Sequence, residues 1–483
     1  MPHHDPADPL LSLGMTRRDA LRHAAATGLA AVTTSGHHAA ARQEASPVAA
    51  GTPVPDGVPV DHIIVVFFEN HTFDNLYGLF AGANGILRPG AAIAQVDLDG
   101  VPYDALPPVT DPDSTPPGPD KRFPADLSNA PFLIDQFVPL DQEVPSSLHR
   151  FYQHQLQLNG GRMDRYVAWG DTGALPMGIY DTTRLPLFEY ARQYTLCDNF
   201  FTGAFGGSML NHFWLICGST PIWPDAPSDI VAQPDVDDDG VLVGLTADGD
   251  VTPDGYAVND VQPWYHPYQA GTPDSHRMPP QTMATIGDRL TATGCSWAWY
   301  AGGWNDALAG NPDPTFVFHH QPFVYFEQFA DGTDAKAEHL LDEVDFLAAV
   351  DEGTLPDVSF VKPLGRYDEH AGYSAILQSE QHVVELIERV QASPAWERTA
   401  IIVTYDDFGG WYDHVMPPVM DRWGPGGRVA TLVISPFARR GHVDSTLYDH
   451  TSILKLIEWR FELDALTERD ASANTMLSCF DFR

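Results

Sequence analysis

A serine behind a run of glycines, two groups of acids and several histidines are the residues of this 483-residue chain best suited to chemistry. The serine is Ser208, in Gly203-Ala204-Phe205-Gly206-Gly207-Ser208-Met209-Leu210-Asn211-His212-Phe213-Trp214. It opens an apolar helical stretch. A hydroxyl at a helix N-terminus faces free backbone N–H groups and a positive dipole end, a setting that holds phosphate. A metal that lowers its pKa makes such a hydroxyl a nucleophile, whereas locally a plain Ser N-cap explains the same residue. Leu210 occupies the place of the second glycine of a Gly-x-Ser-x-Gly elbow, so a serine esterase is disfavoured.

Glu69-Asn70-His71-Thr72-Phe73-Asp74-Asn75 offers a carboxylate and an amide oxygen, hard ligands for a divalent cation. Asn70 or Thr72 also suits an N-cap for a helix containing Phe73, Leu76 and Tyr77. Asp406 and Asp407 are adjacent carboxylates, which repel each other unless a cation, a shared proton or solvent relieves them. Gly409 and Gly410 behind them allow a tight backbone path toward Asp413 and His414. His149, the pair His319-His320 and His370 of Tyr367-Asp368-Glu369-His370 complete the set. Protonated imidazole binds phosphate oxygens or gives a proton to a leaving alkoxide. The pair is expected between two aromatic strands, Phe316-Val317-Phe318 and Phe323-Val324-Tyr325-Phe326.

The elements that must position these groups are legible as apolar runs. Ile63–Phe68, Val358–Val361, Ala400–Tyr405 and Ala430–Ile434 are continuous and partly β-branched, as strands buried on both faces are. Between and after them, Ile376, Val383, Val384, Ile387 and Val390 share one helical face, as do Ile453, Leu456, Ile457 and Phe461. Alternating strands and helices predict an α/β fold, a doubly wound and mostly parallel sheet sandwiched by helices. Sites in such sheets form outside the carboxyl ends of the strands, and polar clusters follow these strands directly.

Residues 89–120 and 225–260 hold six and ten aspartates and no Lys or Arg, and are expected as surface loops or short β inserts. Asp235-Val236-Asp237-Asp238-Asp239-Gly240 imitates the start of an EF-hand, but Thr246 stands where its bidentate Glu is required. A formal net charge of −38, with only four Lys among 27 basic residues, excludes nucleic-acid binding and disfavours anionic lipid surfaces. Arg17-Arg18 ahead of a short apolar run and Ala39-Ala40-Ala41 predict a Tat-type signal over residues 1–41, hence the Tat machinery as a partner and a periplasmic or extracellular location. A linker over 42–60 and a catalytic domain over 61–483 follow, without a transmembrane segment. Cys197, Cys217, Cys295 and Cys479 form no Cys-x-x-Cys pair, so no structural zinc is expected, and one or two disulfides are open to an exported chain.

The order of these clusters resembles the bacterial phosphoesterase family of acid phosphatases and phospholipases C, within the alkaline-phosphatase-like superfamily. The likeness runs over about residues 60–463 and includes Asn159-Gly160-Gly161-Arg162-Met163-Asp164 and Tyr448-Asp449-His450-Thr451-Ser452. It implies one divalent metal held by Glu69, Asn70, Asp406 and Asp407, with Ser208 as a further ligand and as the nucleophile of a phosphoserine intermediate. It also implies that His149, His319, His320 and His370 contact the phosphoryl oxygens or protonate the leaving group. Ser208 stands where the phospholipase branch usually has Thr, the histidine pair looks like the phosphatase branch, and His71 stands where many members have Arg. Nothing resembles the two-zinc site of alkaline phosphatases.

The expected activity is therefore hydrolysis of phosphate monoesters. The rival is a phospholipase C acting on phosphatidylcholine-type lipids, for which Trp264, Tyr265, Trp297 and Trp299 would supply an apolar apron. A non-catalytic exported binding protein would need a broken site, and none of the motifs is broken. An acidic surface repels anionic esters at long range, so a small or zwitterionic phosphate ester or phospholipid headgroup is the expected partner.

Overall fold

Runs of Val, Ile and Phe that the sequence marks as strands are buried from end to end. In the computed structural model, which describes residues 57–482, nine strands form the central sheet. They are β1 (His62–Phe68), β2 (Thr195–Phe201), β3 (Trp297–Ala301), β4 (Leu340–Asp342), β5 (Val358–Lys362), β6 (Thr399–Tyr405), β7 (Arg428–Ile434), β8 (His442–Asp444) and β9 (Tyr448–Asp449). The spatial order is β4-β3-β5-β1-β6-β7-β2-β8, with β9 also on β2. Only β7 runs antiparallel to its neighbours in this sheet. Every residue of β6 and β7 is buried, and of β1 all but His62. A fully buried Val, Ile or Phe is worth about 1.5–3 kcal/mol, so these strands carry the core.

Helices cover the sheet in two groups. α2 (Pro186–Gln193) and α5 (Glu343–Glu352) pack on α6 (Ile376–Ala392), whereas α4 (Ile286–Thr293) and α7 (His450–Phe461) pack on α3 (Ser208–Cys217). A short α1 (Phe73–Tyr77) follows β1, and Thr72 is its N-cap, accepting the Asn75 N–H. The expected α/β fold with a mostly parallel sheet is the observed one. The acidic stretches are the expected short β inserts, a Gln233–Val236 and Leu242–Ala247 hairpin and a Thr110–Asp111 and Gly118–Pro119 pair. Asp237 caps its own turn by accepting the Asp239 and Val241 N–H groups.

Two expectations are corrected. The aromatic runs flanking the histidine pair are not strands but 3-10 turns, Phe318–His320 and Pro322–Tyr325. Pro322 has no N–H for a ladder, and the indole of Trp299 donates to the His320 carbonyl at 2.7 Å. Trp297 and Trp299 lie buried in β3, so they line no surface apron; of the four proposed aromatics Trp264 is the exposed one. The four cysteines are free thiols, with Cys197 and Cys479 Sγ atoms 3.6 Å apart. The expected signal peptide (1–41) and most of the linker (42–60) lie outside the described residues, and Val58 and Val60 are already in the core. Among the described residues no helix is long and apolar enough to cross a membrane.

One core charge sets a stability prediction. Glu458 of α7 is 2% exposed, and burial, with Asp470 beside it, pushes its carboxyl up to about 9. A raised carboxyl favours the folded state below the ordinary carboxylate range and loses that contribution as pH climbs toward 9. Glu458→Gln should therefore raise the melting temperature at pH 8 by about 2 °C or more and leave it unchanged at pH 4. Thermal melts at the two pH values check this.

Candidate active site

Parallel register brings the chemistry together. β1 lies between β5 and β6, pairing Phe68 with Tyr405 and Val66 with Val361. Glu69 and Asp406, the next residue on each strand, therefore emerge side by side, and Lys362 ends β5 next to them. Past Phe201, β2 leads through Gly203–Gly207 to Ser208 at the start of α3. The N-cap of α3 is Gly207, not Ser208, whose hydroxyl is therefore released from capping. Asn70 sits at φ +67°, a left-handed conformation that Asn tolerates better than most residues. Across from it, Gly409 is at φ +59°, and a Cβ there would stand 2.1 Å from the Asn70 carbonyl oxygen, so only glycine fits.

Ser208 Oγ lies 2.8 Å from Glu69 Oε2 and 3.1 Å from Asp407 Oδ2. Asn70 Nδ2 donates to the same Glu69 Oε2 at 2.8 Å, while Asn70 Oδ1 is buried without any hydrogen-bond partner. Asp406 Oδ1 accepts the backbone N–H groups of Asn70 and Asp407, and its Oδ2 also lacks a hydrogen bond. Ligand oxygens of Glu69, Asp406 and Asp407 lie within 4.8 Å of one another. Orphaned hard oxygens among crowded carboxylates are the donor set of a divalent cation. Glu69, Asn70, Asp406, Asp407 and Ser208, the five ligands implied by the resemblance, thus converge and fit a metal.

Charge follows the same geometry. Burial pushes the Asp406 carboxyl well above its ordinary range, with Glu69 and Asp407 adding to the shift, and raises Asp407 to about 6. Burial opposes the Glu69 charge too, but Lys362 and His320 outweigh it and hold Glu69 well below the ordinary range. Lys362 is fully buried, with Nζ on Glu69 Oε1 and 3.9 Å from Asp406 Oδ2. It went unnoticed in the sequence, although a lysine closing an apolar strand in a chain with only four is a readable signal. His212 was likewise quoted without a role. It stands one turn after Ser208, and its Nδ1–H donates to the Ser208 carbonyl at 2.8 Å.

A cavity of about 280 Å³ opens onto Ser208, and the two groups of expected histidines divide around it. His149 and His370 line it, together with Asp113, Arg150, Asp171 and Asp260. The Nδ1–H groups of His149 and His370 donate to the carbonyls of Ser147 and Ala371, which leaves each Nε2 for a ligand. Burial disfavours the charged form of both. Asp407, 3.9 Å away, reverses this for His149 and raises its pKa, whereas His370 falls to about 4. His319 and His320 do not line the cavity. His320 Nε2 lies 2.9 Å from Glu69 Oε1, and His319 Nδ1 lies 3.7 Å from Asp260. His71, where an arginine is usual in the family resembled, is a buried imidazole stacked on Trp411 and held neutral by burial, its pKa about 4.

The model of the phosphoesterase family matches residues 60–464, a span that contains every residue named above. The chain is 27% identical to "Phospholipase C A" of Mycobacterium tuberculosis over 515 aligned positions, covering 99% of this chain and 86% of that protein. It is 24% identical to "Non-hemolytic phospholipase C" of Pseudomonas aeruginosa, covering 88% of this chain and 57% of that one. Among solved structures, a protein of the alkaline phosphatase superfamily from Vibrio parahaemolyticus is 12% identical with a TM-score of 0.33, covering 60% of this chain and 64% of its own. With the match spanning most of its length and all of the converging site, the chain belongs to the phosphoesterase family, whose members are hydrolases of phosphoester bonds.

Proposed function

We propose that the chain is an exported, metal-dependent hydrolase of small phosphate monoesters, acting through a phosphoserine at Ser208. One observation carries this reading. Ser208 faces a small polar cavity, with hard oxygen donors beside its hydroxyl and the imidazoles of His149 and His370 in the same lining. The metal held by Glu69, Asn70, Asp406 and Asp407 supplies Lewis acidity for the phosphoryl charge. Ser208 Oγ attacks phosphorus in line as the bond to the leaving oxygen breaks, and its proton passes to Asp407 Oδ2, 3.1 Å away. His149 Nε2, which Asp407 favours in the protonated form, donates to the leaving oxygen. His370 Nε2, neutral, accepts a proton from the water that then cleaves the phosphoserine, and the proton held by Asp407 returns to Ser208 Oγ as phosphate is released. Such paired groups with opposed pKa shifts mark acid and base.

The cavity mouth bears on the substrate. Asp113 comes from the first acidic insert and Asp260 from the second, and Asp171 joins them; all three are exposed. Arg150, the one guanidinium in the lining, is engaged by Asp248 at 2.6 Å and Asp250 at 2.7 Å, both in the second insert. An anionic rim over a metal-centred floor suits a zwitterionic ester better than a polyanion. The relatives named phospholipase C support a second reading, release of a phosphorylated headgroup from a lipid. The Arg17-Arg18 pair ahead of a short apolar run supports export, and so an activity outside the cytoplasm in either reading.

Ser208→Ala should abolish turnover while leaving bound metal near wild type. Asp406→Asn should lower metal content and rate together, as metal analysis of the purified variant would record; unchanged metal would remove Asp406 from the ligand set. Converting Asp113, Asp171 and Asp260 together to Asn should raise KM for phosphocholine and lower it for glycerol phosphate, each about fivefold at low salt. Equal shifts for both substrates would deny the rim a role. Release of phosphate from phosphocholine should exceed release of phosphocholine from phosphatidylcholine vesicles, and the reverse order would favour the lipase.

A further inference from the structure

Glu69 presents two faces to cations. Its Oε2 belongs to Ser208 and Asn70, on the side of Asp406 and Asp407. Its Oε1 belongs to His320 and Lys362. A second donor triad exists on that side, because Glu69, His212 and His320 also bring ligand atoms within 4.8 Å of one another. All three residues are buried, and the two imidazoles stack in parallel with centroids 5.4 Å apart. His212 Nε2 lacks a hydrogen bond, and His320 Nε2 points at Glu69 Oε1 from 2.9 Å. One carboxylate and two imidazoles are a zinc-type donor set. Yet the Lys362 ammonium already sits on the Glu69 oxygen that this set would use, with a further bond to the Phe68 carbonyl at 3.4 Å.

We propose that Lys362 is the second cation of this active site: its ammonium occupies the place where Glu69, His212 and His320 would otherwise bind a second metal ion. The chain thereby holds one exchangeable metal and one built-in charge. Four buried carboxylates, Glu69, Asp368, Asp406 and Asp407, crowd this edge of the sheet. One divalent ion neutralises two of them, and the lysine a third. Because Lys362 is fully buried and lies outside the cavity lining, it is a positioning residue. It fixes Glu69 Oε1 so that Oε2 stays with Ser208. A permanent charge also spares the site a dependence on a second ion's concentration. This inference rests on metal binding by Glu69, Asp406 and Asp407.

The test is metal stoichiometry on the full chain, dialysed against ZnCl2 or MnCl2 and freed of unbound metal. Wild type and His320→Asn should each hold one ion. Lys362→Ala should hold two in ZnCl2, falling back to one in Lys362→Ala/His320→Asn, with kcat/KM reduced about 10- to 100-fold. Ethylammonium should restore part of that rate and displace the second zinc. Lys362→Met, which keeps the bulk without the charge, replaces Lys362→Ala if the latter does not fold. Two ions in wild type with one lost in His320→Asn would overturn the proposal. So would a folded Lys362 variant with one ion, wild-type affinity and wild-type kcat/KM. A wild type that binds no divalent ion would instead bring down the metal-dependent reading on which this one stands.

Discussion

Four carboxylates that water cannot reach, held at the carboxyl ends of three adjacent parallel strands and the loops after them, are the constraint around which this molecule is arranged. Glu69 and Asp406 are neighbours because β1 and β6 share a register that pairs Phe68 with Tyr405. Like charges this close in a low-dielectric interior repel by several kcal/mol unless a cation intervenes. The fold supplies part of the answer covalently. β5, on the other side of β1, ends in Lys362, whose ammonium reaches both Glu69 and Asp406. Oxygens of Asn70 and Asp406 have no hydrogen-bond partner, and a divalent ion would satisfy them.

A second buried cluster shows what a completed arrangement looks like. Asp74, Asp413 and His414 also bring ligand atoms within metal-binding reach of one another. There, however, the buried guanidinium of Arg428 contacts Asp74 and Asp413 at 3.1 Å, and His414 Nδ1 lies 2.6 Å from Asp74. The remaining Arg428 donors satisfy the carbonyls of Asn84 and Asp198. Two carboxylates meet one guanidinium and one imidazole, so the cluster ties α1 to β7 and the loop after β6. None of its residues lines the cavity at Ser208. Proximity of acids and histidines does not by itself distinguish the two clusters. The difference lies in unsatisfied oxygens beside a nucleophile that faces a cavity.

The strands that position the site were legible because they are apolar throughout, and the ends of β1 and β6 pointed directly to Glu69, Asn70, Asp406 and Asp407. β2 escaped notice because Asp198 and Asn199 interrupt its apolar run, and β3 because Trp297 and Trp299 invited a surface reading. The histidines divide along a physical line. Motif position groups His149, His319, His320 and His370, but only tertiary packing separates the two that line the cavity from the one that braces Glu69. Ser208 could be read locally as a cap. That Gly207 takes that place, freeing the hydroxyl, is a property of backbone dihedrals that residue types do not reveal.

The acidity of the chain then takes on a definite geometry. A net charge of −38 reads at first as a property of the surface. Yet the base-free stretches at 89–120 and 225–260 deliver Asp113 and Asp260 to the cavity mouth, while Asp248 and Asp250 occupy the one arginine that lines it. The one guanidinium of the lining is thus neutralised, and the buried cation below it is Lys362, paired with Glu69. In the proposed reading, a cationic substituent on the phosphate ester gains by staying at that acidic rim. A polyanion is repelled there, so in that reading the inserts act on substrate choice without contributing a reacting atom.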